Sequence, residues 1–94
     1  MEVIRYTQHL QVRLRLREIP DRLPREIYKT SRERYFDNET KKYIAIKTIY
    51  YKAKKREMAL IYEKREKEIV LITLHPLKAY QKISRITLKR WQPI

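Results

Sequence analysis

The sequence has 94 residues, with 24 Lys and Arg against 11 Asp and Glu, a net charge of +13, and neither cysteine nor glycine. This length predicts a single domain over residues 1–94, whose core no disulfide reinforces. The absence of glycine excludes the P-loop and the dinucleotide-binding turn, and only two histidines, His9 and His75, are available for a zinc site. We therefore expect no cofactor and no metal.

Membrane and secretory signals are also missing from the sequence. No stretch reaches the roughly 18 apolar residues of a membrane span, and the first residues lack the apolar run of a signal peptide. We expect a cytoplasmic protein with no membrane partner.

The first twenty residues carry two conflicting patterns. Residues 2–6 predict a short strand, after which Thr7 can cap a helix over 8–18. Leucine and valine alternate with polar residues from Leu10 to Leu16, which is typical of a half-buried strand. Leu10 and Leu14 are also four residues apart, which suits a helix. These residues alone leave both structures open.

A polar stripe accompanies the helical alternative. His9, Arg13 and Arg17 follow one another at intervals of four residues. We interpret this stripe as a solvated helix face or a contact with a protein partner rather than as catalytic machinery.

A second helix is predicted after residue 20. Asp21 and Pro24 are typical of a helix start, and Asp37 and Asn38 predict the turn that ends the helix. One face of this helix would carry the larger side chains: Leu23, Ile27, Tyr28, Ser31 and Tyr35.

Three strands are predicted next, over 42–51, 56–63 and 68–75, separated by KAKK and KREK. Short loops of this kind predict an antiparallel meander. Val70, Ile72 and Leu74 would face the helices, and Ile69, Leu71, Thr73 and His75 would lie on the opposite face. Pro76 would end the last strand. Residues 77–94 form a basic tail of undetermined conformation, with Trp91 as an anchor on the core.

The positive charge is concentrated in the second half of the chain. Residues 1–40 carry a net charge of +2 and residues 41–94 one of +11. From residue 69 onward there are five basic residues and no acid. A phosphate-binding face requires such segregation because an interspersed carboxylate repels the ligand, so the pattern predicts a nucleic-acid partner.

The order of elements and two motifs resemble the RelE and ParE toxin superfamily. The motifs are His9-x3-Arg13-x3-Arg17-x-Ile19 before a second helix, and REMALIYEKREKEIVLITLHPLKAYQ, which is similar to a small domain-of-unknown-function family grouped with RelE and BrnT toxins. The resemblance implies that the segment from Leu10 to Leu16, in which apolar and polar residues alternate, forms a helix and not a strand. It implies an α+β fold of order β-α-α-β-β-β, with two helices on one face of an antiparallel sheet and a basic C-terminal tail.

The resemblance also implies a metal-free endoribonuclease that cleaves mRNA, usually on the ribosome, and that an acidic antitoxin inhibits. Such cleavage uses the 2′-hydroxyl of the substrate as nucleophile, so the protein supplies a proton acceptor, a proton donor and cations. The candidate catalytic residues are His75, Tyr80 and Arg56. The candidate nucleic-acid contacts are Lys47, Lys78, Lys82, Arg85, Lys89 and Arg90.

Each of these residues also has a structural interpretation. His75 could cap backbone at a strand end, Tyr80 could pack under the tail, and Lys47 could extend past an apolar surface. Two other functions therefore stay open: a non-catalytic basic nucleic-acid binder, and an inactive toxin-fold protein that binds an acidic protein.

Overall fold

The computed structural model describes residues 2–94 as an α+β fold, in which three helices pack on one mixed six-stranded sheet. The elements in chain order are β1 (Val3–Tyr6), α1 (Gln8–Leu16), α2 (Leu23–Thr30), β2 (Glu33–Asp37), β3 (Tyr43–Tyr51), β4 (Lys54–Arg65), β5 (Glu68–Pro76), α3 (Ala79–Thr87) and β6 (Trp91–Pro93). The strand order in the sheet is β1-β5-β4-β3-β2-β6.

The sheet is mixed because β1 pairs with β5 in the parallel direction, from Val3 opposite Glu68 to Tyr6 opposite Leu71. The expectation of a purely antiparallel sheet was therefore wrong at this edge. The meander itself was predicted correctly, and β3, β4 and β5 form two antiparallel ladders. A two-residue turn joins β3 to β4, with Lys52 and Ala53 at φ values of 51° and 65°.

Helix α1 resolves the conflict between the two patterns in favour of a helix. Leu10 and Leu14 are buried in the core, whereas Val12 and Leu16 are exposed. The Thr7 hydroxyl accepts a hydrogen bond from the Leu10 amide at 3.1 Å and caps the first turn as predicted.

Helix α2 is shorter than predicted. It ends at Thr30, and Tyr35 lies instead in β2, opposite Ile44 of β3. Asp21 does not cap α2, because the N-cap residue is Arg22 and no side chain bonds to the first turn. Pro24 lies in the first turn, where its missing amide costs nothing.

Two apolar clusters cover the two faces of the sheet. Helices α1 and α2 pack on the first face, over Met58, Leu60 and Tyr62 of β4. The second face carries Ile44, Ile46 and Ala59 and is covered by α3, whereas β6 extends the sheet beside β2; both elements are formed by the tail. Trp91 is buried there against Tyr35, with 5.6 Å between ring centroids, and anchors the tail as expected.

A bulge reverses part of the predicted facing of β5. Ile61 pairs with Thr73 and the next residue, Tyr62, pairs with Leu71, so β5 gains one residue at Ile72. Thr73 and Leu74 therefore have the predicted orientation. Ile69 and Leu71 face the helices, contrary to expectation, because the alternation before the bulge is shifted by one residue.

Candidate nucleic-acid interface

Basic side chains gather at the end of the sheet where β3 and β5 finish and β4 begins. The pairs Tyr51 with Lys54 and Met58 with Pro76 bring these strand ends together. Eight cations at this end and along the adjacent edge of β5 have no carboxylate within ion-pair distance among residues 2–94: Arg13, Arg17, Lys52, Lys54, Lys55, Arg56, Lys78 and Arg85. We call this region the basic end.

His75 lies within the basic end on the second face of the sheet, paired with Ala59. It is partly buried, and burial lowers the pKa of its imidazole below the ordinary value of 6.5. The positive charges of Arg17, Arg85 and Arg13 lower this pKa further. At neutral pH the ring is therefore uncharged and able to accept a proton.

Arg17 is positioned by the end of α1. Its guanidinium donates from Nη1 to the Leu74 carbonyl oxygen at 2.7 Å, one residue before the imidazole. The next residue, Glu18, takes the left-handed conformation with φ of 55°, and the Ile19 amide then donates to the Leu14 carbonyl at 2.9 Å. This arrangement is a Schellman motif, and it holds Arg17 at the edge of β5.

Sequence reasoning missed Arg13 and Arg17 as parts of the site, because their stripe was interpreted as a solvated face or a protein contact. The four-residue spacing was the available signal. The sequence does not show that this stripe lies beside His75, because its position follows from the parallel pairing of β1 with β5. This pairing brings the start of α1 alongside β5, where the Thr7 hydroxyl donates to the Ile72 carbonyl at 3.1 Å.

Three predicted residues lie near His75 in the chain or in space. Lys78 is exposed immediately before α3. Tyr80 is 65% exposed in the first turn of α3, so it does not pack under the tail. The Arg85 guanidinium carbon lies 5.2 Å from the centroid of the Trp91 ring, and its positive charge contributes to the lowered pKa of His75.

Arg56 and Lys47 lie on the other face of the sheet. Arg56 pairs with Ile49 and shares the face of Met58, whereas His75 shares the face of Ala59. The structure therefore does not bring Arg56 and the imidazole together into one cluster. The ammonium of Lys47 donates to the Thr30 hydroxyl at the end of α2.

Lys82 takes part in a partly buried ion network rather than in an open cationic surface. Its ammonium donates to Glu33 at 3.0 Å and also to Glu57. Burial lowers the pKa of Lys82, but the two carboxylates outweigh that effect and raise it. The Tyr35 hydroxyl donates to Glu33 at 2.7 Å and completes the network.

Arg90 and Lys89 lie toward the other edge of the sheet, beside β2. Arg90 binds the Asp37 carboxylate at 3.1 Å, and the Trp91 indole donates to the same carboxylate at 3.3 Å. Burial raises the pKa of Asp37, but the bonds from Arg90 and from backbone amides lower it to about 2. The Lys89 carbonyl accepts from Asn38 at 3.0 Å, so the backbone here joins α3 to the β2–β3 turn.

Another cavity lies at the free edge of β1 and has a volume of about 680 Å³. Val3, Ile4 and Tyr6 contribute to its lining together with residues of α1 and of the α1–α2 connection. Four arginines line it against a single carboxylate, Asp21: Arg5, Arg15, Arg22 and Arg25. Arg5 and Arg22 are ion-paired with Glu68 and Glu26, so the positive charge of this cavity comes mainly from Arg15 and Arg25.

Within residues 2–94 no helix is long and apolar enough to cross a membrane, and no three His, Asp or Glu side chains are grouped as metal ligands would be. Comparison of the chain with protein-family models, with curated proteins and with solved structures finds no match.

Proposed function

We propose that this protein binds RNA at the basic end and cleaves it as a RelE-like, metal-free endoribonuclease of a toxin–antitoxin pair. The observation that carries the proposal is the position of His75 at the end of β5, one residue after the Leu74 carbonyl that binds the Arg17 guanidinium. Burial, and then the positive charges of Arg17, Arg85 and Arg13, lower the pKa of this imidazole. A general base surrounded by cations suits a reaction in which an anionic phosphate must be held while a neighbouring hydroxyl loses its proton.

In the proposed reaction, the imidazole accepts the proton of the ribose 2′-hydroxyl. The 2′-oxygen attacks the adjacent phosphorus, forming a 2′,3′-cyclic phosphate as the bond to the 5′-oxygen breaks. The leaving 5′-oxygen takes a proton from the Tyr80 hydroxyl, which solvent restores. Arginine side chains at the basic end bind the non-bridging oxygens, where negative charge grows during the displacement.

The test is incubation of the purified protein with mRNA in EDTA, with and without ribosomes. We expect cleavage products with cyclic phosphate ends, and a loss of about 100-fold or more in rate for His75→Gln, the usual contribution of general base catalysis. His9→Gln is the matched control, because His9 is exposed on α1. Intact RNA in both settings would reject cleavage.

If the protein binds RNA but does not cut it, the result supports the alternative function, a non-catalytic nucleic-acid binder. Binding would then be steeply salt-dependent, with the same affinity for the protein and for His75→Gln.

A second candidate function, binding of an acidic protein partner, is favoured by the cavity at β1. In the parallel ladder, the amides of Val3 and Thr7 donate to β5, so the alternate amides of Ile4 and Tyr6 point to the free edge. An extended acidic segment can pair with this edge and neutralise the surrounding arginines. A second copy of this chain cannot, because it carries the same charge.

Charge reversal at Arg15 and Arg25 tests this candidate. Neither arginine has an ion-pair partner within residues 2–94. Co-expression with an acidic protein encoded beside the gene should give a complex that the double Arg→Glu variant loses. Arg32→Glu, at an exposed position outside the cavity, should retain it. If the unmodified protein, the double variant and Arg32→Glu form the complex equally well, the partner does not bind at the edge of β1.

A further inference from the structure

A smaller cavity of about 260 Å³ lies between the α1–α2 connection and the end of β3. Ile19, Pro20, Leu23 and Ile49 give it an apolar lining. Its volume is below the roughly 300–1,000 Å³ of sites for drug-sized ligands, so it fits a smaller, largely apolar group.

Arg17 connects this cavity to the imidazole. Arg17 is among the residues that line the cavity, its backbone carbonyl accepts from the Tyr51 hydroxyl at 3.5 Å, and its guanidinium bonds to the Leu74 carbonyl. A ligand in the cavity and a phosphate beside His75 would therefore share one arginine. This arrangement suits two adjacent parts of a single nucleotide chain.

Aromatic rings and lysines surround the same cavity. Tyr50 and Tyr51 both line it, and the Lys52 ammonium lies 5.5 Å from the centroid of the Tyr51 ring. Residues 40–56 contain no acidic side chain, so this hairpin repels cations and attracts phosphates. Tyrosine rings with flanking cations are the usual platform for bases of single-stranded nucleic acid.

Glu18 is the single carboxylate in the lining. It is exposed, follows Arg17 directly, and has no ion-pair partner within the described chain. A carboxylate at this point repels phosphate but accepts hydrogen bonds from the exocyclic amine of a base. It therefore distinguishes cytosine, which presents an N4 amine, from uracil, which presents a carbonyl oxygen at the same position.

We propose that this cavity is a base-recognition subsite, which takes an amine-bearing base, with cytosine preferred to uracil, on the helix-covered face of the sheet. Arg17 lies between this subsite and the phosphate held at His75 on the other face. The inference rests on the proposed RNA binding and specifies which base is bound near the cleaved bond. The preference comes from Glu18, and the affinity comes from Tyr51 and Lys52.

Binding of short single-stranded oligocytidylate and oligouridylate, measured by fluorescence anisotropy, tests the subsite. We expect oligocytidylate to bind about 5-fold more tightly or better, the lower limit for one specific base contact. Glu18→Gln should weaken this preference for cytosine. Glu66→Gln, at an exposed turn at the opposite end of the sheet, should keep it.

Lysine substitutions give the second matched pair. Lys52 and Lys41 are both exposed and both have positive φ, at 51° and 62°, but they lie at opposite ends of β3. Lys52→Glu should weaken binding of both oligomers more than Lys41→Glu does. Tyr51→Leu retains apolar bulk, and it should lower affinity by about 5-fold or more through loss of stacking.

The outcomes separate this inference from the proposed function. If RNA is bound and cut but cytosine and uracil bind equally, or the preference survives Glu18→Gln, the subsite is rejected and the ribonuclease stands. If the unmodified protein binds neither oligomer, both proposals fail.

Discussion

The salt dependence of RNA binding tests the basic end most directly. Each phosphate neutralised on a single strand contributes about −0.7 to the slope of log affinity against log salt concentration. The eight cations of the basic end, which have no ion-pair partner within residues 2–94, therefore limit this slope to about −6 at its steepest. Raising salt from about 50 to about 200 mM would then weaken binding by about three orders of magnitude.

A single substitution should change this slope by a defined amount. Arg13→Gln removes one cation beside His75 without breaking an ion pair or a packed contact. We expect the slope to become less steep by about 0.7, and a triple Gln variant at Arg13, Lys54 and Lys78 to lose about 2. Titrations of labelled single-stranded RNA by anisotropy at several salt concentrations measure both values.

Arg65→Gln supplies the control. Arg65 lies at the opposite end of β4 and is paired with Glu63 at 3.2 Å, so its removal should leave the slope unchanged. A slope shift as large for Arg65→Gln as for Arg13→Gln would refute the assignment of RNA to the basic end, because the charge effect would then be general.

Three further predictions concern stability, measured by urea unfolding. Because the folded pKa of Asp37 is about 2 instead of 3.8, its charge contributes up to about 2.5 kcal/mol above pH 4, which is lost as the pH falls toward 2. Asp37→Asn should remove this acid dependence, whereas Asp21→Asn, at an exposed position, should not. Because the pKa of His75 is lower in the folded protein than in the unfolded chain, protonation of this histidine favours unfolding. The free energy of unfolding should therefore fall as the pH drops below 6.5, and it should fall less in His75→Gln. Ala53→Gly should stabilise the β3–β4 turn by about 0.5–1 kcal/mol, since Ala53 has a φ of 65°. Destabilisation by this change would show that the left-handed turn is not strained.

The meander and α1 were predictable because their signals are local. The alternating residues of β3 to β5 and the short loops between them specify hairpins without reference to the rest of the chain. Leu10 and Leu14 similarly give the buried side of α1, although the alternation with Val12 and Leu16 pointed toward a strand. The resemblance was needed to choose between the two.

The remaining errors come from pairings between distant residues. Tyr35 continues the helical spacing of Ile27 and Ser31, but its segment forms β2, which pairs with β3 on one side and with β6 on the other. The bulge at Ile72 leaves no mark in the sequence, since every residue around it suits either face of a buried strand.

The candidate site was predictable only in part for the same reason. His75 was identified from its type and its place at a strand end. The ion pairs of Lys82, however, join residues 25 and 49 positions apart. No count of charges along the chain separates such a lysine from a free one such as Lys78.

The bond from Arg17 to the Leu74 carbonyl also protects the sheet. Among residues 2–94 no strand pairs with the outer side of β5 past Tyr6. The Thr7 hydroxyl and the Arg17 guanidinium bond there to two of its carbonyls, those of Ile72 and Leu74. An unprotected margin of this kind invites strands of other molecules. A substitution that removes the Arg17 guanidinium therefore takes away a side-chain partner of the Leu74 carbonyl as well as a cation of the basic end.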